Sequence, residues 1–200
     1  GDSCQSGACI VPVRFAHPAG SPIGVGTNPN TVVVGDLNRD GNSDLVVMNY
    51  GSHSMTIRLG NGNGGFTEAP GSPVPIAGNA ESITIGDFNV DGRPDIVVVH
   101  AFPGSVQIYF GDGIGRFTPA GPPTFAGDDT VAIKAGDFNL DGKPDVVVTD
   151  LNVQTIRVLL GNGAGGFTES PGSPIPSGSG PGLALGDFNR DGKPDIAVGD

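Results

Sequence analysis

The chain has 200 residues, with 35 glycines, 18 prolines, two cysteines, no tryptophan and a formal charge of −11 at pH 7. That composition suits many short strands and turns rather than disorder, because apolar runs interrupt the Gly/Pro-rich stretches at regular intervals. An acidic chain with no basic stripe cannot release phosphate counterions, so neither nucleic acid nor an anionic membrane is an expected partner, and no segment reaches the ~18 apolar residues of a membrane helix.

Taken from the N-terminus, residues 1–14 carry both cysteines, Cys4 and Cys9. A bridge between them would close a small ring worth about 2 kcal/mol on the loop-entropy model, while two free thiols satisfy the sequence equally well. From Phe15 onward the chain repeats with a period of about 50 residues, in units 15–65, 66–116, 117–166 and a partial 167–200. Within a unit, a short apolar strand (32–34, 83–85, 132–135, 183–185) enters a ten-residue Asp/Asn/Gly segment, and a β-branched run leaves it (45–48, 96–99, 146–149, 196–198).

The segment between those strands is Gly-Asp-(Phe/Leu)-Asn-x-Asp-Gly-x-x-Asp, and its four copies begin their acidic set at Asp36, Asp87, Asp137 and Asp187. In the first copy Asp36, Asn38, Asp40 and Asp44 fall at positions 1, 3, 5 and 9, with the Asn42 carbonyl at position 7. This is the oxygen-rich spacing a calcium ion takes. The other copies offer Asp87, Asn89, Asp91, Asp95 and the Arg93 carbonyl, then Asp137, Asn139, Asp141, Asp145 and the Lys143 carbonyl, then Asp187, Asn189, Asp191, Asp195 and the Lys193 carbonyl. Gly41, Gly92, Gly142 and Gly192 stand at position 6, where the chain must turn sharply. A single match reads equally well as a solvated Asp-Gly turn, but four in register point to one bound Ca2+ per repeat. Two carboxylates about 4 Å apart repel by roughly 4 kcal/mol at an effective dielectric of 20, so loops of this kind call for a cation. Twelve of the 21 acidic residues lie in the four loops, and four Ca2+ would bring the formal charge from −11 to −3.

An EF-hand requires a Glu at position 12 and flanking helices. Here position 12 is Val47, Val98, Val148 or Val198, and no amphipathic helical pattern occurs. A third apolar run (55–59, 106–110, 156–160) leads to Gly-rich turns at 60–65, 111–116 and 161–166, then to Phe66-Thr67, Phe117-Thr118 and Phe167-Thr168, which open a fourth strand. Two of these turns match GxGxxG, yet a dinucleotide site needs a helix after the glycines. The turns are expected to use glycine for positive φ. Pro- and Gly-rich connectors follow, such as Gly71-Ser72-Pro73 and Gly172-Ser173-Pro174.

Four strands per roughly 50-residue unit predict an all-β fold of propeller blades. With GDFNVDGRPD, GDFNLDGKPD and GDFNRDGKPD each preceding an apolar strand, and LGNGxGGF following, the chain resembles the FG-GAP or VCBS repeat family. That family is similar to the calcium-bearing blades of integrin α-subunit propellers. The resemblance implies a calcium-binding extracellular propeller, often seven-bladed, used in adhesion or ligand binding and in some fungal relatives for sugar recognition. Because the last unit stops after its second strand, the count favours a piece of a longer propeller over a four-bladed ring.

Catalytic patterns are lacking. His17, His53 and His100 do not recur in register and read as surface or strand-end residues, and neither GxSxG nor HExxH is present. The expected function is a non-enzymatic, exported (secreted, cell-surface or periplasmic), calcium-stabilised platform that recognises a protein or glycan. The alternative is an accessory propeller of a secreted lyase or hydrolase whose catalytic groups lie outside this segment.

Overall fold

The computed structural model describes residues 20–199 and, as backbone, the strands β1 (Ser3–Gln5) and β2 (Ala8–Ile10). These two pair antiparallel with Cys4 opposite Cys9. Whether the two sulfurs are bridged, and the rest of 1–14 with Phe15 and His17, lie outside the described residues.

Everything else is antiparallel sheet, with no helix among the described residues. Sheet I comprises β3 (Pro29–Gly35), β4 (Asp44–Asn49), β5 (Ser54–Gly60), β6 (Phe66–Glu68) and β7 (Val74–Pro75). Sheet II repeats it with β8 (Ala80–Gly86), β9 (Asp95–His100), β10 (Gly104–Gly111), β11 (Phe117–Pro119) and β12 (Thr124–Gly127). Sheet III follows with β13 (Thr130–Gly136), β14 (Asp145–Asp150), β15 (Thr155–Gly161), β16 (Phe167–Glu169) and β17 (Ile175–Pro176), and sheet IV has β18 (Leu183–Gly186) and β19 (Asp195–Val198).

Two details differ from the expected four-stranded unit. Phe66, Phe117 and Phe167 pair back onto β5, β10 and β15 opposite Gly60, Gly111 and Gly161, so each hydrogen-bonded sheet extends past the unit boundary drawn before the Phe. A fifth strand, hidden in the proline-rich connectors, pairs with the far end of the third. Proline is tolerated there because the strand lies at an edge and needs few ladder bonds. The connector is also tied by side chains: Ser72 Oγ accepts the Ile57 N–H at 3.0 Å and Ser173 Oγ accepts the Val158 N–H at 3.2 Å. In sheet II, which lacks that serine, Gln107 Nε2 donates to the Gly121 carbonyl at 3.0 Å instead.

The core lies between successive sheets. Val46, Met48, Met55 and Ile57 of sheet I pack on Ile83, Ile96, Val98 and Tyr109 of sheet II. Val97, Val99, Val106 and Ile108 on the opposite face of sheet II meet Ile133, Val146, Val148 and Leu159 of sheet III. A middle strand covered on both faces cannot alternate, and β9 and β14 are buried along their whole length. By contrast β4 alternates, with Val46 and Met48 buried and Leu45 and Val47 only half so, because the second face of sheet I is open. The first strands β3, β8, β13 and β18 neighbour one another in series, and Thr31 Oγ1 donates across to the Glu81 carbonyl at 3.2 Å.

Candidate metal centre

Each Asp/Asn loop joins the first two strands of its sheet, and all four adopt one arrangement. In sheet I the Asp40 N–H is shared by Asp36 Oδ1 at 3.0 Å and Asn38 Oδ1 at 3.1 Å, and the Gly41 N–H goes to Asp36 Oδ2 at 2.9 Å. Asp40 Oδ1 in turn accepts the Asn42 N–H at 2.8 Å. The side chains at positions 1 and 3 therefore converge on one main-chain atom, that of position 5. The hub recurs around Asp91 (Asp87 Oδ1 3.0 Å, Asn89 Oδ1 3.1 Å), Asp141 (Asp137 Oδ1 3.0 Å, Asn139 Oδ1 3.0 Å) and Asp191 (Asp187 Oδ1 3.0 Å, Asn189 Oδ1 2.8 Å).

Position 9 does something else. Asp44, Asp95 and Asp145 are fully buried. Their Oδ2 atoms accept the N–H of Leu37, Phe88 and Phe138 at 2.8–2.9 Å, and their Oδ1 atoms accept the N–H of Gly60, Gly111 and Gly161 at 2.8–2.9 Å. These carboxylates brace the loop against the third strand. Asp195 keeps the first bond, from Phe188 N–H at 2.9 Å.

Electrostatics separate the two roles. Burial pushes the carboxyls of Asp95 and Asp145 above the usual range. Asp40 is held low by the Asn38 amide and the Asn42 N–H, and Asp141 by the Lys143 N–H. For Asp91 burial acts upward, but the bonds from the Arg93 N–H, the Asn89 amide and the Arg93 guanidinium outweigh it. At position 7 the basic side chains fold back, placing Arg93 Nη2 2.5 Å and Lys143 Nζ 3.5 Å from the position-5 carboxylate.

Oxygen-only donors of this kind suit a hard divalent cation. Among the described residues no three His, Cys, Asp or Glu side chains stand together closely enough to hold an ion by themselves. A cation bound at these loops would need the Asn oxygen at position 3 and the main-chain carbonyl at position 7 as further donors.

The strand–loop–strand unit that contains these loops is also what family comparison finds. The model of the FG-GAP-like repeat matches three times, over residues 36–98, 87–148 and 137–198. The chain belongs to the FG-GAP-like repeat family. Each of these FG-GAP-like matches starts at a position-1 aspartate and ends in the exit strand of the next sheet, so it spans one sheet-to-sheet junction. No curated protein is a significant match. Solved structures with the same fold include a chain of the Tc holotoxin pore of Photorhabdus luminescens, 17% identical with a TM-score of 0.51, covering 90% of this chain and 9% of that one. The rhamnogalacturonan lyase PL11 of Bacillus licheniformis is 15% identical with a TM-score of 0.51, covering 86% of this chain and 40% of the lyase. This chain thus spans less than half the length of either.

Two further features of the FG-GAP-like repeat escaped sequence reading. The last residues of β4, β9 and β14 are Asn49, His100 and Asp150, all buried, and each ties down the connector that enters its sheet. Asn49 Oδ1 accepts the Gly26 N–H at 3.0 Å, His100 Nδ1 lies 3.2 Å from the Gly78 carbonyl, and Asp150 Oδ2 accepts the Asp128 N–H at 2.8 Å. Three different side chains at one register position disguise the shared role, and only the 50-residue offset hints at it. His100 is indeed a strand-end residue, but a buried one, whereas His53 is exposed. The second feature is the glycine at the close of the third strand. Gly60, Gly111 and Gly161 do not have positive φ, unlike Gly62, Gly113 and Gly163. A Cβ on them would lie 2.0–2.1 Å from the carbonyl oxygen of Ser43, Pro94 or Pro144.

Proposed function

We propose that this chain is part of a calcium-binding β-propeller, exported from the cell, whose sheets serve as blades and whose loops each hold one Ca2+, four in all. The supporting observation is the hub geometry repeated in four loops, where the side chains at positions 1 and 3 converge on the N–H of position 5 and the position-5 carboxylate turns back to the N–H of position 7. The residues that would hold the ion are those read from the sequence: Asp36, Asn38, Asp40, Asp44 and the Asn42 carbonyl in sheet I, with their counterparts in the other three. Bound calcium supplies positive charge that relieves carboxylate repulsion. The loop residues keep the first two strands of each blade at their working separation. Calorimetric titration of the chelated protein tests this: about four sites support the reading, and no binding at millimolar calcium rejects it.

The platform carries recognition rather than chemistry in this reading, with a protein or glycan as partner. The turns after the second strand support that placement. They vary freely among sheets and expose His53, Phe102 (63%) and Val153 (47%) on a rigid scaffold. Once a glycan or protein ligand is in hand from array screening, exchanging residues 51–54 with 101–104 should change its affinity, and an unchanged affinity would move the site elsewhere.

A second reading has one observation in its favour, namely that both fold relatives are much longer chains, one of them a lyase. In that reading the segment is an accessory propeller of a secreted lyase or hydrolase. Attaching the segment to its neighbouring domains and measuring turnover with and without it separates the two.

A further inference from the structure

At position 7 of the loops the side chain is placed as regularly as the main chain. In sheet II the stem of Arg93 runs over the glycine turn that follows the third strand, so that a Cβ on Gly113 would lie 3.0 Å from Arg93 Cδ. The guanidinium then returns to the hub, where Nη2 stands 2.5 Å from Asp91 Oδ2, an oxygen that also accepts from the Asn89 amide at 2.8 Å. Sheet III repeats the path with a different residue. A Cβ on Gly163 would lie 3.0 Å from Lys143 Cδ, and Lys143 Nζ stands 3.5 Å from Asp141 Oδ2. A route shared by two different side chains, ending on the same carboxylate oxygen of the motif, is set by the loop and the turn beside it.

Sheet I departs from this pattern. Its position 7 is Asn42, whose amide lies over Gly62, and among the described residues no basic side chain stands within ion-pair reach of Asp40. The Asp40 carboxylate accepts instead from the Asn38 amide at 3.0 Å and the Asn42 N–H at 2.8 Å.

A cation at the hub would draw on the position-5 carboxylate and the position-7 carbonyl. Arg93 and Lys143 would therefore offer it one ligand while their charged heads occupy another and repel it. Asn42 would offer the carbonyl with no such competitor. From this difference we propose that Arg93 and Lys143 are tethered counter-cations, which lower the calcium affinity of the loops in sheets II and III below that of sheet I and stand in for the ion when calcium is scarce. The inference rests on the calcium reading above and adds an order of filling to it: the loop of sheet I first, those of sheets II and III at higher calcium. Exposed ion pairs are worth a factor of about two to five, so the gradation is modest and weakens with salt.

An NMR titration of the whole chain, labelled with 15N and stripped of metal by chelator, tests this with calcium alone as the probe. The amides of Gly41, Gly92 and Gly142 each donate to the position-1 carboxylate of their own loop at 2.8–2.9 Å, so each resonance reports one loop. At low salt the Gly41 midpoint should lie about three-fold below those of Gly92 and Gly142. Arg93→Gln should lower the Gly92 midpoint by about three-fold and leave Gly142 in place, whereas Arg93→Lys, which keeps the charge, should leave Gly92 near wild type. Asn42→Arg should raise the Gly41 midpoint by a similar factor, and about 0.5 M salt should narrow the wild-type gap. Should Arg93→Gln fail to fold, Lys143→Gln read at Gly142 replaces it. Coincident midpoints in wild type, or a Gly92 midpoint indifferent to Arg93→Gln, overturn the inference and leave the calcium reading standing. No shift in any loop at millimolar calcium removes the calcium reading and this inference with it.

Discussion

The Gly60 N–H donates to Asp44 Oδ1 at 2.8 Å, joining residues 16 apart in sequence and fixing the end of the loop to the end of the third strand. Gly111 and Asp95 repeat the bond at 2.9 Å, and Gly161 and Asp145 at 2.8 Å. The last acidic residue of the motif is thus a structural brace as well as a candidate ligand, which makes its role separable from that of the hub.

Asp95→Ala should destabilise the protein even in chelator, because it leaves the Phe88 and Gly111 N–H groups buried without an acceptor. Unsatisfied buried donors cost about 1–3 kcal/mol each. Asp91→Ala, at the exposed hub, should leave the chelated melting temperature unchanged and remove part of the calcium-dependent rise. Equal effects of the two variants in chelator would refute the division of roles.

Calcium should raise the melting temperature steeply. Binding only to the folded form adds about 2.7 kcal/mol per site at a hundredfold excess over Kd. Magnesium should rescue the chelated protein poorly, because it demands a tighter octahedral shell with retained waters. A melting temperature indifferent to chelator would sink the calcium reading.

Gly111→Ala should cost about 3 kcal/mol, since the added methyl would meet the Pro94 carbonyl, a backbone atom that cannot swing aside. Gly113→Ala, strained by its φ of 77° and meeting only the flexible Arg93 side chain at 3.0 Å, should cost about 1 kcal/mol. Urea unfolding of the pair gives the order, and the reverse order would mean that the turn's positive φ matters more than the close approach.

Val90 holds a φ of 56° with a β-branched side chain that is 56% exposed. Left-handed backbone costs such a residue about 1–2 kcal/mol, so Val90→Asn should stabilise the chain by about 1 kcal/mol. Lower stability in urea would mean that packing of Val90 Cγ2, which lies 3.3 Å from where a Cβ on Gly163 would stand, outweighs the strain.

His100 should make the fold acid-sensitive. Burial holds its imidazole below the usual histidine pKa, its Nδ1 faces the Gly78 carbonyl, and its Nε2 is buried without a partner. The unfolded chain therefore binds the proton first as pH falls. Stability is fully present above about pH 6.5 and declines as pH drops toward the lower folded-state pKa. Melting temperatures between pH 7.5 and 5 should fall more in wild type than in His100→Gln, and parallel curves would rule the histidine out.

The repeat was legible in the sequence because its cause is local. Glycine at position 6 of the loop, side-chain oxygens two residues apart and β-branched runs on either side specify a strand, a loop and a strand wherever they occur. The all-β class, the four loops and the first four strands of sheets I to III followed from such short-range rules. The short fifth strand did not, since Val74-Pro75 and Ile175-Pro176 look like connectors until the far end of the third strand lies beside them. Nor could local pattern separate Asp44 from Asp40, because the difference is a partner 16 residues away and the burial that comes with it. Position along the stack is likewise a tertiary matter. Nothing in the motif around Phe88 announces its burial, which comes from sheet III packing on sheet II.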